Sequence, residues 1–217
     1  MKKIFFVMLL SFVHDGYASQ FKLDTHYEII DYNVSPVAEP KVTEYFSFLC
    51  PHCYNFEKNY IPTLVTALSA SNVAFEQHHV DFIGGAVGTS LSKAYALSYQ
   101  LNVDKKIKPL LFEACKADPQ QFSQQNALKQ FFLKHGVNEQ EYDANINAFI
   151  VNTKVAQMQF KAKKSKIKGV PAFVVNEKYL IKNESVKSYE ELTKLILYLS
   201  KKSTNTMSSK PKVTTQS

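Results

Sequence analysis

The 217-residue chain has no tryptophan and no arginine, only three cysteines and six glycines, and a single long apolar run. The missing tryptophan removes tryptophan fluorescence as a reporter of any change of state. All 26 basic residues are lysines. Three cysteines cannot all pair within one chain, so at least one sulfur is left over. No second CxxC accompanies Cys50 and Cys53, which leaves a zinc site short of about two ligands. Past the N-terminus no stretch approaches the roughly twenty apolar residues needed to cross a bilayer.

The one apolar run lies in MKKIFFVMLLSFVHDGYASQ. Two lysines precede about ten mostly apolar residues, Ile4 to Val13, and small residues follow at Gly16 and Ala18. This is the pattern of a secretory signal peptide over residues 1–18, with cleavage expected after Ala18. A membrane anchor is the alternative, but the run is too short for it. The mature chain is expected to be exported, with no membrane span of its own. Export also changes how cysteines are read, because disulfides persist outside the cytosol.

The formal charge of +7 falls to +6 without residues 1–18, which hold Lys2, Lys3 and Asp15. The segment from Lys201 onward holds four lysines and no acid, so the body carries only about +2. A cluster at Lys161 to Lys168 closes a helical pattern and reads as a solvated face. No nucleic-acid partner is expected.

His26 to Asp31 and Val42 to Phe48 read as strands. A helix follows from about Pro51 to Leu68, with Pro62 predicting a break near Tyr60. Asn72 to Phe82 reads as another strand, so strand, helix and strand form a βαβ unit whose crossover starts at the cysteines. After Gly84 and Gly85 the period becomes helical for about eighty residues. Its segments begin at Leu91, Lys105, Gln124 and Glu139, with Gly136 as a helix stop and Asn138 as a cap. Strand signals return at Ala172 to Asn176 and Lys178 to Ile181, close enough for a hairpin. A last amphipathic helix starts at Ser188, with Glu191 completing a capping box. The fold class is α/β with a helical insertion. The expected divisions are a signal peptide 1–18, a first α/β part 19–82, an inserted helical domain 83–158, a second α/β part 159–202, and a flexible Lys/Ser/Thr tail 203–217.

The chemistry centres on FLCPHCYNFE. A cysteine at the N-terminal edge of a helix meets unsatisfied N–H groups and the positive end of the helix dipole, both of which favour thiolate. Pro51 suits the first helical position. Cys50 is therefore expected to be the acidic, exposed, attacking sulfur, and Cys53, one turn further in, its resolving partner. His52, when protonated, places positive charge near Cys50 and stabilises the reduced form, which makes the disulfide a stronger oxidant. A purely structural disulfide here would close a loop too small to constrain much of the unfolded chain. For zinc, His78 and His79 are the only obvious further ligands, and as adjacent strand residues at most one can turn toward the cysteines. No metal is expected. Cys115, in KIKPLLFEACKA, reads as a small buried residue on a helix.

FSFLCPHCYNFE after a strand, HVDFIGG after the next, a helical insertion and KGVPAFVVNEKY before the last hairpin together resemble the DsbA family of periplasmic thiol:disulfide oxidoreductases, over about Thr25 to Lys202, which implies the periplasm as the destination of the exported chain. The resemblance implies a thioredoxin-like fold with an inserted helical domain, no cofactor beyond the Cys50–Cys53 disulfide, and a monomer. It implies donation of that disulfide to reduced, unfolded exported proteins, and recharging by a DsbB-type quinone-linked membrane oxidase. It implies a cis bond before Pro171 beside the active site, with Val170 offering its backbone to a substrate strand. Glu44 and Glu57 match acidic positions near the active site, with a role in proton relay or in tuning the cysteine pKa. The chain departs from the family where the best-known members carry a lysine on the third strand: Gln77 stands there, which puts a Glu–Lys pair beneath the disulfide in doubt. Two other readings remain open on the same fold, a thiol reductase or isomerase and a redox-inactive peptide-binding chaperone.

Overall fold

Val42 to Phe46 is the strand on which the rest is assembled, because side chains of both its faces are buried. The computed structural model describes residues 20–31, 33, 39–124 and 126–204. The signal peptide with its cleavage at Ala18, and the tail from residue 205, lie outside them. Five strands form one sheet: β1 Tyr27–Ile29, β2 Lys41–Phe46, β3 Ala74–His79, β4 Ala172–Val175 and β5 Tyr179–Ile181, in the order β1-β5-β4-β2-β3. Strand β2 runs parallel to β3 and antiparallel to β4. A parallel pair cannot be joined by a tight turn, so a helical crossover covers one face. That crossover is α1 Pro51–Asn59 and α2 Ile61–Ala70. The two part at Tyr60, where Pro62 has no N–H to continue the ladder.

The insertion between β3 and β4 holds α3 Ala86–Gln100, α4 Asp104–Ala117, α5 Ala127–Lys134, α6 Glu139–Asn145 and α7 Phe149–Lys164. The run from Glu139, which reads as one helical stretch in the sequence, is divided into α6 and α7. The Asn145 amide donates to the Glu141 carbonyl and the Asn152 amide to the Asn147 carbonyl, local bonds that compete with the helix ladder. Helix α7 runs unbroken across residue 158, where the insertion was expected to end. Asn138 caps α6 by accepting from the Gln140 N–H at 2.7 Å, and Gly136 takes a φ of +88° just before it.

β4 and β5 are joined through Asn176, Glu177 and Lys178; the first two take positive φ, and the Lys178 N–H closes the turn onto the Val175 carbonyl. The Asn176 side chain holds the turn against β2 by accepting from the Lys41 N–H. The last helix, α8 Tyr189–Thr204, starts with the Glu191 N–H donating to Ser188 Oγ, while the Glu191 carboxylate accepts from the Lys187 N–H. It continues to Thr204, past the point where the tail was expected to begin.

Two main apolar clusters flank β2. One joins Val42 to α2, β4 and α8 through Leu64, Leu68, Phe173, Leu195 and Leu199. The other starts at Phe46 and Phe48 beside the two cysteines and continues into α3, α4, α5 and α7. The insertion therefore shares its core with the cysteine pair, and the sheet and the helical lobe meet at the redox centre.

Candidate active site

Cys50 follows β2 through a turn closed by its own N–H to the Ser47 carbonyl, and it stands as the N-cap of α1 in an extended conformation. Its sulfur takes the role that a capping oxygen usually fills, accepting the Cys53 N–H at 3.3 Å. On its other side the thiol donates to the Val170 carbonyl at 3.3 Å, and the Val170–Pro171 peptide is cis. Cys50, expected to be exposed, is instead largely buried at 8%, because its sulfur packs against the Val170 carbonyl and the first turn of α1; Cys53 is 1% exposed, so of the two Cys50 is the one an incoming sulfur can reach.

The two thiols titrate in opposite directions. Cys50 is pulled down to about 6, chiefly by the hydrogen bond from the Cys53 thiol, then against the cost of burial by the N–H groups of Cys53 and His52 and by the His52 charge. His52 itself is exposed and acts as the smallest of these causes. Burial, and then Cys50, push Cys53 far above the ordinary thiol range. At neutral pH the pair is thus a Cys50 thiolate and a Cys53 thiol.

Beneath them Glu44 projects from β2 and is 1% exposed. Burial raises its carboxyl to about 8, against a lowering hydrogen bond from Gln77, so it holds a proton at neutral pH. The Gln77 amide, on β3, donates to Glu44 at 2.7 Å and to Glu57 of α1 at 3.0 Å. Lys108, from α4, donates to the Gln77 carbonyl oxygen at 2.6 Å and pairs with Glu57 at 2.7 Å. The cation missing from β3 is supplied from the insertion instead. Nothing in the sequence marks Lys108 for this position, because only the packing of α4 against the sheet brings it there.

His79 also escapes a reading by motif. Its Nε2 accepts the Phe48 N–H at 3.2 Å and its Nδ1 meets Ser92 at 2.7 Å, while Phe48 stacks on its ring. Burial pushes it down to about 3, so it is a neutral prop for the turn into Cys50, with both nitrogens engaged. His78 points to the opposite face, against Tyr45, as strand alternation requires.

Two recesses lie near the cysteine pair, the first reaching Cys50 only through Val170 and the second lined by Cys50 itself. One of about 500 Å³ is bordered by Ile167, Val170, Pro171 and Leu180. The other, about 260 Å³, lies between Pro51, Tyr54, Phe112 and Cys115. Cys115 is 2% exposed and burial pushes its thiol to about 12, so it is inert near neutral pH. Alkylation of the reduced native protein is therefore expected to label Cys50 alone, with a rate that rises through a midpoint near pH 6. Mass spectrometry of the labelled peptides checks this, and label on Cys115 at pH 7 would contradict it.

Residues 41–194 match the family described as the DSBA-like thioredoxin domain. The chain belongs to the DsbA-like thioredoxin family. It is 34% identical over 208 residues to the thiol:disulfide interchange protein DsbA of Pectobacterium carotovorum, covering 91% of this chain and 99% of that protein. It is 38% identical to the DsbA of Yersinia pestis over 78% of this chain and 80% of the other. Among solved structures, the disulfide oxidoreductase DsbA from Proteus mirabilis superposes with a TM-score of 0.67 at 32% identity, covering 87% of this chain and 98% of that one. The chain is accordingly a DsbA-family thiol:disulfide oxidoreductase, and in this family the redox group is the cysteine pair itself. Among the described residues no helix is long and apolar enough to cross a membrane.

Proposed function

We propose that the protein donates the Cys50–Cys53 disulfide to reduced proteins exported to the periplasm. The observation that carries this reading is the asymmetry of the pair: an accessible, acidic Cys50 capping a helix beside the Val170 carbonyl, and a buried Cys53 that strongly prefers to be protonated. A substrate thiolate attacks Cys50 Sγ, forming a mixed disulfide and breaking the bond to Cys53. The Cys53 thiolate so released takes a proton, for which the neutral Glu44 carboxyl beneath it is the donor. A second substrate thiolate then attacks the substrate sulfur of the mixed disulfide, and Cys50 leaves as a stable thiolate. The substrate loses two electrons and the enzyme becomes a dithiol. A DsbB-type membrane partner takes those electrons on to quinone.

In this scheme Val170 and Pro171 border the groove that receives the substrate backbone, Pro51 starts the helix without an idle N–H, and His52 adds its charge to the Cys50 side. The equilibrium of the pair with glutathione tests the direction of transfer. The expected potential is well above that of thioredoxin, about −270 mV. A value at or below thioredoxin's would assign the protein to the reductase side of the same chemistry.

A further inference from the structure

We propose that Lys108, on the helical insertion, is the positioning residue of the buried acid beneath the cysteines: it fixes which end of the Gln77 amide meets Glu44. The proposal rests on the disulfide-donor reading only for its consequence in turnover, since its geometry stands independently.

Donors and acceptors decide the orientation of the amide. An ammonium only donates, and an amide has one accepting end and one donating end. Lys108 Nζ lies 2.6 Å from Gln77 Oε1, so that oxygen is committed to the lysine. Both amide hydrogens are then left for the carboxyl groups, and they reach Glu44 at 2.7 Å and Glu57 at 3.0 Å. Lys108 also pairs with Glu57 at 2.7 Å, which closes the ring of contacts. Without the ammonium the oxygen end of the amide would lose its partner, and only the contact of the nitrogen end with Glu57 would favour this sense. A turned amide would present its oxygen to Glu44, and only the protonated acid can meet an oxygen.

Titratable groups face Glu44 from every side. They are Cys50 and Cys53 above it, Glu57 and Tyr60 from the first crossover helix and its end, Tyr95 from α3 and Lys108 from α4. Lys108 is the only cation in that set. The outer end of the network, at Glu57, Gln77 and Lys108, borders a recess of about 560 Å³ open to solvent. Glu44 must surrender a proton when Cys53 is released and regain it on recharging. By holding the amide as a donor, Lys108 stabilises the carboxylate that remains after the proton has gone. The readiness of the acid is thereby set from the insertion, not from the sheet that carries the acid.

The test is the titration of Glu44 in the reduced full-length protein, read by carboxyl carbon NMR and assigned by loss of the signal in Glu44→Gln. Lys108→Met is expected to move the midpoint upward by on the order of one pH unit, and Lys108→Arg to hold it near the original value. Glu57→Gln is expected to move it the other way, because a neighbouring negative charge is removed. Opposite signs from two neighbouring substitutions are an electrostatic signature that loosened packing does not produce. If Lys108→Met fails to fold, Lys108→Gln, which is neutral and similar in length, takes its place. A midpoint unmoved by loss of the lysine charge, or moved downward, overturns the proposal. No substrate is turned over, so a reducing glutathione potential would refute the donor reading while leaving this result to stand or fall alone.

Discussion

Cys50→Ser and Cys53→Ser are each expected to reduce disulfide transfer to the uncatalysed rate, but only Cys53→Ser is expected to be trapped through Cys50 as a covalent complex with a protein that already carries a disulfide. The difference follows from accessibility and acidity. Without the Cys50 sulfur the protein can neither carry a disulfide nor receive an attacking thiolate, and neither remaining cysteine can substitute. Cys53 is 1% exposed and strongly disfavours the thiolate, and Cys115 is 2% exposed with its thiol pushed to about 12. In Cys53→Ser, by contrast, Cys50 keeps its place as helix cap beside Val170. Its thiolate still attacks an existing disulfide in a partner protein, displacing one of that partner's sulfurs as thiolate, and the mixed disulfide so formed meets no Cys53 thiol to resolve it. Oxidation of a reduced, unfolded protein substrate measures the first effect, and non-reducing electrophoresis the second. Full activity of Cys50→Ser would favour the peptide-binding chaperone, whose action depends on the recess beside Pro171 and not on sulfur.

The second large effect is on stability. Reduction is expected to make the protein more resistant to urea, the reverse of the usual effect of breaking a disulfide. Two effects compete. The CxxC disulfide closes so small a loop that it removes little entropy from the unfolded chain. The Cys50 thiolate, however, is stabilised only in the folded protein, where it titrates near about 6 against 9.0 for an unperturbed thiol. A group whose folded pKa is depressed contributes stability in full above its unfolded pKa and loses it as pH falls through the folded value. The advantage of the reduced form is therefore largest near pH 9, shrinks across the window from about 9 to about 6, and is gone below it, while above about 9 the raised Cys53 thiol works against it. Each tenfold change in proton affinity is worth about 1.4 kcal/mol, so the advantage amounts to a few kcal/mol at its largest. Glu44 has its pKa raised to about 8, so its burial costs stability as pH rises from its ordinary carboxylate range toward that value. That cost falls on both redox states and largely cancels in the comparison. Urea midpoints of the two forms at pH 8 and pH 5 check the prediction. An oxidised form more resistant at pH 8, or a gap that widens toward pH 5, would contradict it.

The same free energy sets how oxidising the pair is. Whatever stabilises the folded dithiol over the disulfide raises the potential, with about 30 mV for each 1.4 kcal/mol. For DsbA itself that potential is known to be about −120 mV, a property of that relative. In this chain the chief causes of the low Cys50 value are the Cys53 thiol and backbone N–H groups, with the His52 charge the least of them. The histidine between the cysteines, the most conspicuous side chain in the motif, thus contributes less than the geometry of the helix start.

Much of the fold was legible because its signals are local. Pro62 foretold the break at Tyr60, Ser188 and Glu191 the start of the last helix, Asn138 a cap, and the close spacing of two apolar runs the β4–β5 hairpin. The helical run from Glu139 was legible in type but not in continuity. Periodicity counts apolar positions, while the asparagine side chains at 145 and 152 bond to the backbone irrespective of them.

For the site, the sequence by itself determined the polarity of the cysteine pair. A proline after Cys50 and a strand before it place one sulfur at a helix end and the other a turn inside, and the forces involved act within four residues. What only the tertiary structure decided lies farther along the chain. The Val170 carbonyl reaches Cys50 from the far side of the insertion, Glu44 is sealed beneath the pair, and Lys108 arrives on α4 to do what Gln77 cannot. Alternation along β2 could turn Glu44 inward but could not say whether water would reach it. Burial and charge neighbourhood are properties of packed surfaces, and those surfaces exist only once the helical lobe has closed over the sheet.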